Sequence, residues 1–123
     1  NSSGAVVAVI LGGTLIPLPN NQALSNVTAN GANTVFTVTT AGAYKIEYNI
    51  NLTAALLISS RITKNGVPLV GTVNNPAVSV SSLRSSVIVN LAAGEQLSLQ
   101  LFGLLGAATL QGEQGASLTI TKL

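Results

Sequence analysis

The chain has no cysteine, histidine, methionine or tryptophan, no aspartate, and only five basic and three acidic side chains among 123 residues. Each absence removes a class of chemistry. Without cysteine there is no disulfide framework and no thiolate to hold a metal. Without histidine, a nucleophilic serine lacks its usual base, and neither a Ser-x-x-Lys nor a Gly-x-Ser-x-Gly spacing is present to replace it. The three carboxylates, Glu47, Glu95 and Glu113, lie far apart in sequence, beside turns or on a wet strand face. They match neither the paired acids of a glycosidase nor the oxygen cluster that calcium requires. No catalytic residue, cofactor or metal ligand is therefore expected, and the reading starts from a structural or binding role.

Long apolar runs are missing too. The longest, Ala5 to Leu11, ends at Gly12-Gly13 and falls far short of the ~20 residues of a membrane-spanning helix. Aromatic residues number only Phe36, Tyr44, Tyr48 and Phe102, too few for the girdles of an outer-membrane barrel. The net charge of +2 comes from Lys45, Arg61, Lys64, Arg84 and Lys122 against the three glutamates. Five dispersed cations without interleaved aromatics make no nucleic-acid stripe.

What remains is an alphabet of Val, Leu, Ile, Ala, Ser, Thr, Asn and Gly. Hydrophobic residues make up 47% and charged residues 7%, against about 25% charged in an ordinary domain. A folded chain of 12.4 kDa exposes about 6,100 Å². So few charges leave much of that area to Ser, Thr, Asn, Gln and bare apolar groups. Exposed apolar surface marks a partner, and the simplest partner is another copy of the chain.

The order of residues specifies strands. Residues 43–53 alternate strictly, with Tyr44, Ile46, Tyr48, Ile50 and Leu52 on one face and Lys45, Glu47, Asn49 and Asn51 on the other, the pattern of a half-buried antiparallel strand. Leu97, Leu99 and Leu101 repeat it against Gln96, Ser98 and Gln100, as do Leu118 and Ile120 against Thr119 and Thr121. Val87, Val89 and Leu91 form a further inward set. Asn65-Gly66, between runs at 56–64 and 67–73, predicts a tight hairpin. Asn30-Gly31, Ala41-Gly42, Ala93-Gly94 and the segment 112–115 predict further turns. Segment 54–61, short and flanked by strands, is read as strand. About eight to ten short strands at this spacing predict an all-β sandwich or barrel in a single domain spanning 1–123.

The continuous apolar stretch 5–11 predicts a strand buried on both faces, inside the sandwich or between subunits. The apolar, glycine-rich stretch 103–110 lets backbones approach closely. Val6, Val7, Val9, Leu11, Leu104 and Leu105 are accordingly candidates for a subunit interface. Arg61 and Arg84, standing among apolar and serine neighbours, either pair with glutamates across that interface or are solvated. Tyr44 and Tyr48, on one strand face, are expected to pack in the core rather than to form a ligand platform. Asn-x-Ser/Thr sequons occur at Asn1, Asn26 and Asn51, an unremarkable number in a chain of this composition.

Four motifs carry a family resemblance. Gly42-Ala43-Tyr44-Lys45-Ile46 resembles the Gly-x-Tyr-x-Ile/Phe strand opening of the complement/TNF-like jelly rolls. Asn65-Gly66-Val67-Pro68-Leu69-Val70-Gly71-Thr72 resembles a hairpin of their bacterial branch. Leu91-Ala92-Ala93-Gly94-Glu95-Gln96-Leu97 matches that superfamily's Leu-x-x-Gly-Asp/Glu-x-Leu turn, and Ala116 to Lys122 resembles its last strand. In this order they are most similar to the C-terminal domains of BclA-type collagen-like exosporium glycoproteins, most clearly over residues 40–123. The resemblance implies a jelly roll of about ten strands, a homotrimer at the tip of an N-terminal collagen-like stalk, contact with other spore-coat or exosporium proteins, and display on the outer spore surface. No Gly-X-Y tract is present, so the stalk is inferred from the resemblance, and the chain, which opens Asn-Ser-Ser-Gly without Met, is expected to be a fragment of a longer protein. The competing reading is a receptor- or carbohydrate-binding knob of a fibre or adhesin.

Overall fold

Strict alternation makes the strand β6 (Gly42–Leu56) the spine of the molecule. Its odd-numbered side chains meet water, while Tyr44, Ile46, Tyr48, Ile50 and Leu52 are fully buried. In a computed structural model describing residues 1–10, 12–103 and 106–123, β6 pairs antiparallel on one side with β9 (Val80–Leu91) and on the other with β12 (Ala116–Lys122). Beyond β12 lies β3 (Gln22–Ser25), added in parallel, to give a sheet of order β3-β12-β6-β9.

A second sheet is built around β10 (Gln96–Phe102), flanked on one edge by β7 (Ser59–Lys64). Its other edge is shared by β5 (Phe36–Val38) near Gln96 and β2 (Thr14–Leu15) near Leu101. The strands β4 (Val27–Ala29) and β8 (Val67–Pro68) close the two ends, giving the order β4-β5-β10-β7-β8. A small ribbon of β1 (Val6–Val9) and β11 (Gly106–Thr109) completes the chain. It joins the first sheet through a bridge between Leu52 and Leu110.

The chain crosses directly from one main sheet to the other between β2 and β3, β3 and β4, β5 and β6, β6 and β7, β8 and β9, and β9 and β10. These crossings wind the strands into a jelly roll, with antiparallel pairing dominating and the inner faces closing on one core. Phe36, Ile62, Leu97, Leu99 and Leu101 from one sheet meet Tyr44, Ile46, Tyr48, Leu118 and Ile120 from the other. The hairpin at Asn65-Gly66 is the tight one expected. Both residues have positive φ, 51° and 80°, and Lys64 faces Val67, the geometry of a two-residue turn that follows the strand twist.

Four expectations are revised. The described part of segment 5–11, residues 5–10, is not buried on both faces. It alternates, because among the described residues β1 pairs with β11 alone and turns one face to the core: Val7 and Val9 are buried, while Val6 is 66% and Ile10 58% exposed. Segment 54–61 is not one strand, nor is the run 56–64: both break at Leu57-Ile58, where the chain leaves the first sheet for the second. Buried Ile58 plugs the gap between the sheets, and Leu57 faces solvent. Beyond the Asn65-Gly66 turn, only Val67-Pro68 is strand. Twelve strand segments appear among the described residues, more than about ten, because short pieces such as β2 and β8 pair for only two residues each.

Candidate interaction surfaces

Several apolar side chains that the jelly roll does not need remain in contact with water. Val6 and Ile10 lie on the outward face of the N-terminal ribbon. Val67, Val70 and Val73 stand out from the β7–β8 hairpin and the loop after it, with Val70 88% exposed. Ile88 projects from β9 beside Lys45, its cross-strand neighbour. Among the candidate interface residues, Val7 and Val9 are committed to the chain's own core and cannot also face a second chain. Val6 stays available. Leu11, Leu104 and Leu105 lie outside the described residues.

The arginines are placed differently from each other. Arg61, on β7, lays its guanidinium 3.9 Å from the centre of the Phe102 ring and donates from Nε to Gln100 Oε1 at 2.6 Å. Cross-strand register explains this: Arg61 faces Gln100, and Phe102 lies two residues further along the same face. Arg84, on β9, is exposed and opposite Asn49 of β6. Among the described residues the ion pairs are Lys45–Glu47 and Lys64–Glu95, each with N···O of 3.4 Å, and neither uses an arginine.

Both tyrosines are core residues. Tyr44 Oη donates to Thr40 O at 2.6 Å. Tyr48 Oη sits deeper: it donates to Thr72 O at 2.7 Å, lies 2.8 Å from Ser60 Oγ, and accepts from Asn74 Nδ2 at 2.9 Å. Burial pushes the Tyr48 phenol above its usual pKa, opposed by the hydrogen bonds from Ser60 and Asn74. This network ties the loop after β8 to the centre of the sandwich, and a second bond from Asn74 Nδ2 to Arg84 O, 2.7 Å, ties it to β9.

The glutamates are dispersed. Glu47 pairs with Lys45 on β6. Glu95 closes the turn before β10, accepting from Ala92 N at 2.7 Å. That backbone bond, helped by the Lys64 charge, holds its carboxyl below the usual glutamate range against the opposing effect of desolvation. Glu113 lies in the loop before β12. No group of three or more His, Cys, Asp or Glu side chains is placed to hold a metal among the described residues. Among the described residues no helix is long and apolar enough to cross a membrane.

The outer face of the β3-β12-β6-β9 sheet holds a polar cleft of about 540 Å³ that was not foreseen. Register lines up Arg84, Asn49 and Ser117 across β9, β6 and β12. The loop before β12 forms its wall, held by bonds from Asn21 Nδ2 to Glu113 O, 2.8 Å, and from Asn51 Nδ2 to Gln114 O, 2.7 Å. Alternation alone placed Asn49 and Asn51 on a wet face. It carried no signal that β12 and β9 flank them, nor that residues 113–114 fold back over them.

Three comparisons with known proteins bear on this arrangement. The family model described as the BclA C-terminal domain matches residues 1–123. No curated protein matches the sequence. Among solved structures, the crystal structure of rabbit GITRL is similar with a TM-score of 0.52 and 13% identity, covering 68% of this chain and 68% of that one. That likeness concerns the fold, a TNF-like jelly roll.

Proposed function

Because the chain belongs to the BclA C-terminal domain family, we propose that it is a non-catalytic structural module: the single, trimerising head domain of a collagen-like filament protein displayed on the spore exosporium. The observation that carries this reading is the family match over the whole of residues 1–123. The physical chemistry of the surface supports it. A chain with five basic and three acidic residues leaves Val6, Ile10, Val70 and Ile88 in water, and each is stabilised by burial against a second copy. A jelly roll brings its strands into fixed register without metal or disulfide. Three such heads closing on one axis hold three upstream chains in register, which is what nucleates a collagen triple helix. The remaining surface of Ser, Thr, Asn and Gln presents little charge for non-specific attraction.

Light scattering over a concentration series tests the reading. A mass near three chains, unchanged on dilution to the micromolar range, is the expected result, and Val6→Glu is expected to lower that mass or make it concentration-dependent. A stable monomer overturns the trimer and the nucleating role together.

A further inference from the structure

Most of the chain's few charges are engaged within the chain itself. Lys45 pairs with Glu47 and Lys64 with Glu95. Arg61 lies on Phe102, and Lys122 extends over Gly42 at the far end of β12. Arg84 and Glu113 are left, one of each sign, and both line the cleft on the outer face of the β3-β12-β6-β9 sheet. Neither has an ion-pair partner among the described residues, and Leu11, Leu104 and Leu105, outside that set, carry no charge. Arg84 stands on the cleft floor opposite Asn49. Glu113 stands on the wall, where bonds from Asn21 and Asn51 pin the main chain at 113 and 114. Ile88, 64% exposed, projects from the same side of β9 as Arg84. A second copy that covers Ile88 therefore comes down on the cleft as well. Covering a lone cation or carboxylate strips its water, and only an opposite charge with further hydrogen bonds offsets that cost.

We infer that the cleft is a half-site completed by a second copy of the chain, in which Arg84 pairs with Glu113 of the partner subunit. The inference rests on the trimer reading. Under three-fold symmetry a cleft that meets both neighbours lies close to the axis, and the contact repeats into a closed ring of alternating charge with no net excess. The planar fork of Arg84 suits a carboxylate in a bidentate pair. The Asn49 amide and the Ser117 hydroxyl, aligned beside Arg84 by strand register, supply donors and acceptors for the lone pairs and protons the ion pair leaves over. Glu47 also borders a hollow next to Arg84, but Lys45 already engages it. The pinned loop presents Glu113 in one place before assembly, which reduces the ordering cost of contact. Exposed Val and Ile side chains supply the non-directional part of association. The ring supplies direction: in another rotation of the copies, like charges meet or both charges stay covered and unpaired.

The test uses charge reversal at two exposed positions. Arg84→Glu or Glu113→Arg alone sets like charges against each other at every contact of the ring. Each single variant is expected to dissociate at a concentration at least about tenfold above that of the parent, and the double variant is expected to recover. The two single variants are then co-expressed in equal amounts and their trimers counted by native mass spectrometry. Each mixed trimer has opposite charges at two of its three contacts, whereas each unmixed one has none. Mixed trimers are expected to exceed the about three quarters given by random assembly in threes. A pair formed within one chain would also let the double variant recover, but it gives no excess of mixed trimers, and that result overturns the inference. Glu47→Gln is the control and is expected to leave dissociation unchanged; a loss equal to that of Glu113→Gln shows that Arg84 meets a different carboxylate and overturns the pairing. A trimeric parent whose single variants dissociate as it does refutes the ring alone. A monomeric parent refutes the trimer and the ring together.

Discussion

Deleting one oxygen, in Tyr48→Phe, tests the claim that a buried polar network locks the loop after β8 onto the sandwich. The Tyr48 hydroxyl has three neighbours at hydrogen-bond distance: Thr72 O, Ser60 Oγ and Asn74 Nδ2. Ser60 is fully buried and Thr72 nearly so, so water cannot readily replace what the phenol supplied. Asn74 keeps its second amide proton on Arg84 O, and Ser60 can rotate its hydroxyl, so not every partner is stranded. Leaving one or two buried groups unsatisfied costs about 1–3 kcal/mol each, and some of this relaxes, so the expected loss is about 2–4 kcal/mol. Tyr44→Phe is the internal control. Its hydroxyl bonds to Thr40 O and, more weakly, to Asn26 O, both part-buried, and the expected loss there is about 0.5–1.5 kcal/mol. The assay is urea denaturation at one fixed protein concentration, because an oligomer's stability depends on it. The midpoint should fall more for Tyr48→Phe than for Tyr44→Phe, with the slope unchanged in both. Equal losses, or a loss below about 0.5 kcal/mol at Tyr48, would refute the argument that burial makes this network costly to break.

Two glycines separate backbone need from packing. Gly66→Ala places a side chain at φ 80° in open space and should cost about 1 kcal/mol, whereas Gly31→Ala, with no neighbour and no positive φ, should be neutral or slightly stabilising; thermal denaturation reads both. Gly13→Ala combines φ 104° with a new Cβ only 2.4 Å from Gln100 Cδ. It should push Gln100 off Arg61 and loosen the guanidinium from Phe102, visible as a change in the Arg61 Nε proton signal. Glu95 provides the pH test. Folding favours its carboxylate, so its contribution is complete above the ordinary glutamate range and lost as the pH falls through the lowered folded-state value. Glu95→Gln should therefore be less stable than the parent at neutral pH, with the gap closing on acidification; a gap independent of pH contradicts the assignment.

The two Asn-Gly pairs show where local sequence is and is not sufficient. Both predict a turn, and both lie in one. At Asn65-Gly66 the flanking residues Lys64 and Val67 already face each other, so the dipeptide itself is the turn, with positive φ at both positions. At Asn30-Gly31 the turn is longer. Asn30 Oδ1 accepts from Thr34 N and Val35 N, and the positive φ falls on Asn33 instead. A side-chain oxygen has replaced the tight turn with a capped loop, and the dipeptide alone cannot report which of the two forms. The same limit applies to segment 5–11. Its continuous hydrophobicity fits a doubly buried strand, and pairing with β11 alone among the described residues, a long-range fact, leaves Val6 and Ile10 outside.

The inward set on β6 was legible because alternation is a local property: each residue's face follows from its neighbours, and burial of one face selects the register. The cleft was not legible because it is a relation among three strands and a loop. Asn49 and Arg84 are 35 positions apart, Ser117 lies further still, and they align only once β9 and β12 have paired to either side of β6. Composition pointed in the opposite direction, since a chain with so few charges offers little reason to look for a binding site. Yet scarcity sharpens the physical case. The Lys45 and Lys64 cations are paired and the Arg61 guanidinium is laid on Phe102, whereas Arg84 is set among amides and hydroxyls on an open sheet face. Arg84 shares its face of β9 with exposed Ile88, and an unchanged oligomeric mass in Arg84→Gln would leave its guanidinium outside the contacts between chains. A loss of trimer in Arg84→Gln would instead place the cleft inside the subunit interface and assign its polar row to contacts between chains.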